Sequence, residues 1–339
     1  MDHVAIDLGS RKSQICVRNA EGEIVDERRW ETWELPRYFA ERPKSRVVME
    51  TGAQAFGLAD AVQALGHEVR IVPANTVRTL GVGARRTKTD QRDARALSEV
   101  SCRIDLPSVH IPGKGSRERK TFCGMRDALV GARTKVINTV RGWLRTQGRH
   151  PGKGSSPTFA TRVRALYGDQ LPNCVERQLL IVEALTTQIQ LADEELNKQA
   201  EADETCRRLM TVPGVGSLTA LRFAAALDDI SRFKTAHQVE SYIGLVPGEN
   251  SSSERNQKLS ITKAGPRPLR WVLIQAAWAI RIRCRQPGVV PLQLWAHRVE
   301  LRRGKRTATV ALARKLAGIL FAIWRDGTVY DGSRGAQMT

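Results

Sequence analysis

The chain has 339 residues, a formal net charge of +19 and a hydrophobic content of 41%. This length allows two or three folded domains. The sequence has no run of eighteen apolar residues, so no membrane span is predicted. The six scattered cysteines contain no C-x-x-C pair, which argues against a zinc ribbon and a disulfide scaffold. The pattern predicts mostly buried or inert thiols in a reducing cytosol.

Positive charge is concentrated in the last third of the chain. Residues 205–339 contain 22 Lys and Arg against 8 Asp and Glu, whereas residues 1–100 contain 16 against 15. Lys and Arg release counterions when they neutralise phosphates, so a polyanion is the expected partner. Solubility or anionic lipid are the alternatives, but basic residues spread through predicted helices favour nucleic acid.

The first hundred residues predict a mixed α/β domain. The segments HVAIDLGS, KSQICVRNAEG and EIVDERRW are predicted as three consecutive strands, followed by strands at RVVMETG and EVRIVP. Between the last two, AQAFGLADAVQALG has helical spacing and ends at Gly66, a favourable helix C-cap. This order fits a mixed sheet covered by helices.

Four acidic residues in this region are candidate metal ligands. Asp7 and Glu50 end two predicted strands, where ligands commonly bind in such sheets, and Asp90 and Asp93 lie close together in a predicted helix. Carboxylates suit a divalent cation, which suggests a metal site for phosphodiester chemistry. Each acid also has a structural interpretation: Asp7 in a turn, Glu50 as a helix cap, Asp90 in a capping box with Thr87, and Asp93 beside the helix dipole.

The middle of the chain predicts long helices. TFCGMRDALVGARTKVINTVRGWLRTQG is predicted as one helix closed by Gly148, and a second helical region runs from about residue 161 to about residue 202. Apolar residues in the second region alternate spacings of three and four, as in a heptad repeat. They are Val182, Leu185, Ile189, Ala192 and Leu196. This seam fits a coiled coil between protomers or an ordinary helical hairpin.

Two motifs in the last third are candidates for nucleic-acid chemistry. RRLMTVPGVGSLTALRFAAAL predicts a helix-hairpin-helix, in which amides near Gly214 and Gly216 can bind a backbone phosphate, or else a plain helix corner. The segment GLVPGENSSSERNQKLSITKAG has the composition of a solvated linker, but it carries three serines close to basic residues that can collect anions. Those basic residues are Arg255, Lys258 and Lys263.

Two apolar helices are predicted near the C-terminus. LRWVLIQAAWAIRIRC is expected to bury Trp271 and Trp278 in the core. RRGKRTATVALARKLAGILFAIWRDG is predicted as an amphipathic helix with a basic start. Its basic residues are expected to lie near phosphates; they are Lys305, Arg306, Arg314 and Lys315.

These motifs, in this order, resemble the DEDD-type insertion-sequence transposases of the insertion-sequence 110 family, described as bridge-RNA-guided serine recombinases. The segments IDLGS, VVMETGA and TKTDQRDARAL are similar to the metal-site motifs of that family. The segments VPGVGSLTA, YIGLVPGE and ITKAGPRPLRWVLIQAAW are similar to its C-terminal transposase domain. The resemblance covers nearly the whole chain.

The resemblance implies an architecture and a set of partners. It implies an α/β RNase H-like (RuvC-like) domain over residues 1–112, a helical coiled-coil connector over 113–204 and a mainly α C-terminal transposase domain with a helix-hairpin-helix over 205–339. The implied partners are donor and target double-stranded DNA, a structured non-coding guide RNA and further copies of the chain in a dimer or tetramer. No membrane association is expected, and the protein is expected in the bacterial cytoplasm, at the nucleoid when acting.

The resemblance also implies a site that joins a metal to a nucleophilic serine. The serine of the family lies between its GL-x-P and K-A-G motifs, which places it on Ser252 here. Ser253 stands where the family pattern has glycine, so Ser251 and Ser253 remain alternatives. Arg255 and Lys258 are candidates for stabilising transition-state charge. The implied Mg²⁺ ligands are Asp7, Glu50, Asp90 and Asp93.

Three other functions stay open on the residues alone. A metal-dependent Holliday-junction resolvase or nuclease would use the same acids with water as the nucleophile. An actin-like sugar kinase or ATPase would use AIDLGS as a phosphate-binding turn, but the adenosine-binding Gly-Gly region typical of that class is not found. A non-catalytic nucleic-acid-binding protein would need only the basic residues.

Overall fold

The computed structural model describes residues 1–74, 76, 90–252 and 255–332. For residues 250–252 and 255–258 it describes only the backbone. Thr87 and Ser253 therefore lie outside the described residues. The chain forms two compact units, Met1–Pro112 and Gly113–Thr339. The first is mixed α/β and the second is mainly helical, which confirms the predicted fold class at this level. The division into three domains, with a boundary at residue 204, stays a prediction.

The first unit is built on a five-stranded mixed sheet. The strand order is β3-β2-β1-β4-β5; β2 is antiparallel to its neighbours β3 and β1, and β4 and β5 run parallel to β1. All five predicted strands and the second helix are confirmed, whereas the short first helix was not predicted. The elements are β1 (His3–Asp7), β2 (Lys12–Arg18), β3 (Ile24–Glu31), α1 (Leu35–Ala40), β4 (Arg46–Glu50), α2 (Ala55–Ala64), β5 (Glu68–Val72) and α3 (Asp90–Arg103).

Helices cover both faces of this sheet. On one face, Ile6 and Met49 are buried in a cluster that includes Phe39 of α1 and helix α2. On the other face, Ala5 and Val48 are buried in a cluster with α3. Side chains alternate between the two faces of a strand, so this pattern decides which residues of β1 and β4 face α3.

The second unit consists of helices and one pair of antiparallel strands. The helical region predicted between residues 161 and 202 is two helices, because the chain turns at Gly168, where φ is +53°, and at Pro172. The elements are α4 (Lys114–Thr146), α5 (Phe159–Tyr167), α6 (Asn173–Ala202), α7 (Glu204–Leu209), α8 (Ser217–Leu227), α9 (Ala236–Ile243), β6 (Pro247–Ser252), β7 (Arg255–Ile261), α10 (Arg267–Ile282) and α11 (Val290–Asp326).

The heptad-like seam of α6 packs against α4 of the same chain. Val182 is buried in a cluster with Ile137 and Val140 of α4. Nε of Arg126 donates to Oδ1 of Asp193 at 2.8 Å, which holds the two helices together further along. The structure thus shows the helical hairpin, one of the two alternatives. A coiled coil between protomers stays a prediction.

Helices α7 to α11 share the largest core of the second unit, and α10 contributes only one face to it. Leu273 is fully buried there, but Trp271 and Trp278 are 52% and 44% exposed. The predicted burial of both tryptophans is wrong. Tryptophan is apolar but large and seldom fully buried, so its residue type alone does not place it on the buried face.

Helix α11 is long and apolar enough to cross a membrane by length and composition, and no other helix among the described residues is. Half of its apolar window is buried inside the fold, as in an ordinary core helix. The helix is also interrupted at Gly304, where φ is 80° and ψ is 165°. Length and composition alone therefore give little support to a membrane role.

Candidate active site

The register of the sheet places two of the four predicted acids side by side. Strands β1 and β4 are parallel, with Ile6 opposite Met49, so the next residues, Asp7 and Glu50, are neighbours at the carboxyl ends of both strands. Neighbouring strands lie about 4.8 Å apart. Both acids are partly buried. Because α2 is preceded by Gln54 without a side-chain cap, the interpretation of Glu50 as its cap is wrong.

Helix α3 runs back along the face that carries Asp7 and Glu50. Ser101, near its C-terminal end, contacts His3 at the start of β1, where Oγ lies 2.8 Å from Nδ1. Leu97, one helical turn before Ser101, packs in the cluster with Ala5 and Val48. The N-terminal end of α3 therefore points towards the carboxyl ends of β1 and β4.

The helical rise brings Asp93 to the level of these two acids. Asp93 precedes Leu97 by four residues, so it lies on the same side of the helix about 6 Å along the axis. Asp7 and Glu50 lie two residues beyond Ala5 and Val48, which is about 6.6 Å along the strands. Register and helical rise thus put three of the predicted ligands towards the same end of one face.

Asp90 lies at the edge of this group. Its Oδ2 is 3.5 Å from Nη2 of Arg29 on β3, and both side chains are exposed. An exposed ion pair of this kind contributes little stability. Breaking it would therefore cost little if Asp90 bound a cation other than Arg29. Both Asp90 and Asp93 lie in the first turn of α3, which also agrees with the helix-dipole interpretation.

Side chains that the sequence did not indicate fasten α3 to β3. Arg95 donates from Nε and Nη2 to the two carboxylate oxygens of Glu27, at 2.7 and 2.5 Å, and Gln91 donates to the same carboxylate at 3.0 Å. The hydrogen bond from Arg95 lowers the pKa of Glu27. No local motif predicts this contact, because the partners are far apart in the sequence.

The turn after Asp7 requires glycine. A Cβ on Gly9 would lie 2.1 Å from the carbonyl oxygen of Lys12. Ser13 and Thr32 close the same turn: the Gly9 amide donates to Oγ of Ser13, and Oγ1 of Thr32 donates to the Gly9 carbonyl at 2.9 Å. This explains why glycine stands in the Leu-Gly-Ser motif, at the turn that follows β1.

The donor chemistry of the acids fits Mg²⁺. Mg²⁺ is usually held by one or two carboxylates together with substrate phosphates and water, and Asp7 and Glu50 supply two neighbouring carboxylates. Among the residues that the structure describes, no group of three or more His, Cys, Asp or Glu is placed to hold a metal ion. The four acids are thus not gathered into a complete ligand set, and their role as ligands stays a prediction.

The serine segment forms a β-hairpin instead of a linker. Strands β6 and β7 are antiparallel, with Ser251 opposite Asn256 and Ser252 opposite Arg255. Ser252 is the last residue of β6, and Lys258 also lies in β7. The hairpin thus carries both candidate serines of β6 at its tip. The sequence pattern missed it because the strands are polar and lack the alternating apolar residues that mark a strand.

Two glycines fasten the base of this hairpin. At Gly244 φ is +76°, and an added Cβ would lie 2.2 Å from the carbonyl oxygen of Ala264. At Gly265 φ is +70°, and an added Cβ would lie 1.9 Å from the carbonyl oxygen of Tyr242. The two strands therefore leave and return to the helical core at a fixed separation.

Arg270 of α10 locks the same base from inside. It is buried, and its Nη1 donates to the carbonyl oxygens of Ile243 and Ala264 at 2.7 and 2.8 Å. Desolvation lowers the pKa of its guanidinium. One buried cation thus joins the chain entering the hairpin to the chain leaving it. Sequence reasoning assigned this arginine no role.

The predicted turn between α7 and α8 is present, but its two glycines differ. At Gly214 φ is +78°, and an added Cβ would lie 2.7 Å from Cγ1 of Ile280. Its amide donates to Oε1 of Gln286 at 2.8 Å, so this N–H already has a hydrogen-bond partner other than a phosphate. Gly216 precedes α8 without a side-chain cap. Phosphate binding at this turn stays a prediction, with Gly216 the better placed of the two.

The basic residues of the last third divide into exposed and engaged groups. Lys263, Lys305 and Arg306 are exposed. By contrast, Arg314 donates from Nε to Oε2 of Glu240, and burial lowers the pKa of Lys315. The expectation of phosphate contacts therefore stays a prediction for the exposed residues alone.

The thiols are mostly as predicted. Three are buried, two are partly buried and Cys174 is exposed. Burial raises the pKa of Cys206 to about 12, so this thiol stays protonated near neutral pH. Among the described residues, all six are free and take no part in the candidate site.

Comparison with known families identifies both units. A family model of DEDD transposases of IS110 elements, described as "Transposase", matches residues 4–147. A second, described as "Transposase IS116/IS110/IS902 family", matches residues 206–289. The first match includes all four predicted acids and supports an RNase H-like fold for the N-terminal unit. The second includes the turn at Gly214, the serine hairpin and α10.

Curated relatives match over most of their length. The chain is 28% identical to the transposase for insertion sequence element IS1111A of Coxiella burnetii, covering 94% of this chain and 88% of the relative. It is 29% identical to the transposase for insertion sequence element IS1328 of Yersinia enterocolitica, covering 97% and 98%. It is 30% identical to the IS110 43.6 kDa protein of Streptomyces coelicolor, covering 85% and 87%. The chain therefore belongs to the IS116/IS110/IS902 family of DEDD transposases and is a DNA-processing enzyme.

Proposed function

We propose that this transposase is an RNA-guided recombinase that joins donor and target DNA through a covalent phosphoserine on Ser252, with Mg²⁺ at its carboxylates. The observation that carries the proposal is the register of β1 and β4, which makes Asp7 and Glu50 neighbours on the face against which α3 packs. Family membership establishes transposition as the function, and the proposal concerns the chemistry that performs it.

The carboxylates would hold the ion where the DNA backbone arrives. Asp7 and Glu50 would bind it from the strand ends, and Asp93 and Asp90 from the start of α3. When bound, Mg²⁺ offsets the charge on the non-bridging phosphate oxygens and orients the phosphate. Without a cation, the same acids would repel DNA, which gives them a reason to be paired with a metal.

The serine would act as a reversible carrier of the phosphoryl group. Oγ of Ser252 attacks the phosphorus, a new P–Oγ bond forms and the P–O bond to one DNA strand breaks. The serine proton leaves to a base or to solvent, and the departing strand takes a proton to become a free hydroxyl. A hydroxyl of the other DNA then attacks the phosphoserine, which restores the serine and joins the strands. The number of ester bonds is conserved, so no external energy source is needed.

The surroundings of the hairpin support this role. A nucleophile must be held within a narrow range of positions to react efficiently, and Gly244, Gly265 and Arg270 fix the base from which β6 and β7 extend. Arg255 and Lys258 would offset the negative charge that builds up at phosphorus. We retain Ser251 and Ser253 as the alternatives to Ser252.

The partners follow from charge and from the family. The excess of Lys and Arg after residue 204 suits donor and target DNA together with a structured guide RNA. A dimer or tetramer would bring several catalytic serines to the strands that are exchanged. The protein would act in the bacterial cytoplasm, at the nucleoid.

A reconstituted strand-exchange assay tests the proposal. The full chain, purified with RNA transcribed from the DNA that flanks its gene, is mixed with donor and target DNA in Mg²⁺. We expect joined products that require the RNA and Mg²⁺, that are lost in Ser252→Ala and that persist in Ser260→Ala, a matched serine of β7. Joined products without RNA would contradict guidance. DNA that is cut but not joined, equally in Ser252→Ala, would favour the water-using nuclease.

A further inference from the structure

Helix α10 turns an aromatic stripe outward. Its buried face includes Leu273 and Ala277, but Trp271, Trp278 and Ile282 are 52%, 44% and 47% exposed. Spacings of seven and four residues place these three on one side of the helix. We call them the α10 tryptophan stripe. Its two indole rings are attached about 10 Å apart along the helix axis.

The segment that carries the stripe has basic residues and no acidic residue of its own. Between residues 263 and 285 there is no Asp or Glu, whereas six positions carry Lys or Arg. Arg267, one turn before Trp271, is exposed. The guanidinium carbon of Arg283 lies 5.7 Å from the ring centroid of Trp278. Beyond Ile282 the surface opens into a cleft of about 330 Å³. Arg285 and His297 are among its lining residues, together with Glu300, which pairs with Arg281.

This combination selects the chemistry of the partner. An exposed apolar face alone would suit another protein as well as a ligand. Flat aromatic rings on a segment that carries cations and no acid of its own suit a polyanion that also offers flat apolar surfaces. Unpaired nucleic acid has both, because its bases stack on indole rings while its phosphates pair with Arg. Duplex DNA keeps its bases stacked on each other and offers only phosphates to such a surface.

We propose that the α10 tryptophan stripe is a stacking platform for unpaired bases of single-stranded nucleic acid, with Arg267 and Arg283 binding the adjoining phosphates. Neither the serine nor the carboxylates enter this inference, so it goes beyond the proposed recombination chemistry. The ligand could be an unpaired part of an RNA or a displaced DNA strand, since both present the same bases and phosphates.

Equilibrium binding of labelled oligonucleotides tests the platform. Fluorescence anisotropy is measured on the full chain in EDTA, where no Mg²⁺ chemistry occurs, with oligouridylate, oligothymidylate and a duplex of equal length. We expect Trp271→Ala with Trp278→Ala to weaken binding of the single strands tenfold or more. Duplex affinity and the slope of affinity against salt should stay unchanged, because phosphate contacts remain. The Phe variants at both positions should retain most of the affinity.

A matched variant controls for the loss of an exposed tryptophan. Trp33 is 76% exposed and is flanked by Glu31 and Glu34, so Trp33→Ala should leave binding unchanged. A greater loss with oligouridylate would identify RNA as the ligand, and a greater loss with oligothymidylate a displaced DNA strand. Unchanged single-strand affinity, or an equal loss for duplex, would overturn the proposal. So would a fall in oligomeric mass, or lost binding to anionic vesicles, without weaker single-strand binding.

Discussion

The alternation of side chains between the two faces of a strand decides which acids of this protein can share a metal ion. Asp7 and Glu50 lie two residues beyond Ala5 and Val48, so all four face α3. A slip of one residue would turn both carboxylates towards the opposite face, where Ile6 and Met49 are buried. The sequence could predict the strands and the acids, because short apolar runs ending in an acid are local patterns. It could not show that α3 returns along that same face.

The metal-site role of Glu50 is tested by an isosteric change. Glu50→Gln removes a charge but keeps the shape of the side chain, so we expect strand exchange to fall at least a hundredfold while the unfolding temperature changes little. Glu99→Gln, on the exposed side of α3, is the control and should keep full activity. Strand exchange that persists in Mg²⁺ with Glu50→Gln would contradict the role of this acid.

Arg270 gives a second prediction at this scale. Arg270→Met fills similar space but leaves the carbonyls of Ile243 and Ala264 without their donor, and hydrogen bonds from a charged group contribute about 1.5–3 kcal/mol. We expect the free energy of unfolding to fall by about 2 kcal/mol in urea titration, with strand exchange reduced and single-strand binding kept. Arg267→Met, which changes an exposed neighbour, should leave stability unchanged. Equal stability of the Arg270 variant would show that the carbonyl contacts contribute nothing.

At the scale of elements, α3 and the β6–β7 hairpin carry the candidate groups, and the sequence predicted them unequally. The periodic pattern of DQRDARALSEV indicates a helix, but its docking on β3 depends on Glu27 and Arg95, which are 68 residues apart. The hairpin lacks the alternating apolar residues that mark a strand. The long helices α4 and α6 were easier to predict, because the helical spacing of their apolar residues is repeated many times.

The anchor of α3 predicts a pH-dependent stability. Arg95 lowers the pKa of Glu27 in the folded protein, so the stabilisation from this pair is present above the unfolded pKa of about 4.3 and is lost as the pH falls through the lower folded pKa. Glu27→Gln should reduce the unfolding temperature by about 1–2 °C at pH 7. The difference from the native chain should shrink below pH 4, and a difference that grows there would contradict this account.

At the scale of the whole molecule, charge is separated along the chain. The N-terminal hundred residues are nearly neutral and carry the acids, whereas residues 205–339 hold 22 basic against 8 acidic residues. This division is readable from composition, and it correctly favours nucleic acid as the partner of a transposase. Which basic residues face solvent required the structure, since Arg314 pairs with Glu240 whereas Lys305 is exposed.

The basic segment at the break of α11 gives a prediction at this scale. Lys305→Glu with Arg306→Glu reverses two exposed charges beside Gly304, so we expect weaker duplex binding and a smaller slope of log affinity against log salt. Lys198→Glu with Arg177→Glu makes the same charge change on α6 and controls for net charge. Equal slopes for the two double variants would show that Lys305 and Arg306 do not contact phosphates.

A covalent-adduct assay tests the central claim most directly. The chain and its flanking RNA meet end-labelled donor and target DNA in Mg²⁺, and the reaction is stopped in denaturing detergent. We predict a labelled band at protein mass that is absent in Ser252→Ala and in Asp7→Ala, with the DNA attached to the peptide that contains Ser252. A band that survives Ser252→Ala but is lost in Ser251→Ala or Ser253→Ala would move the nucleophile by one residue. Cut DNA with no adduct in any variant would contradict serine chemistry and assign attack to water.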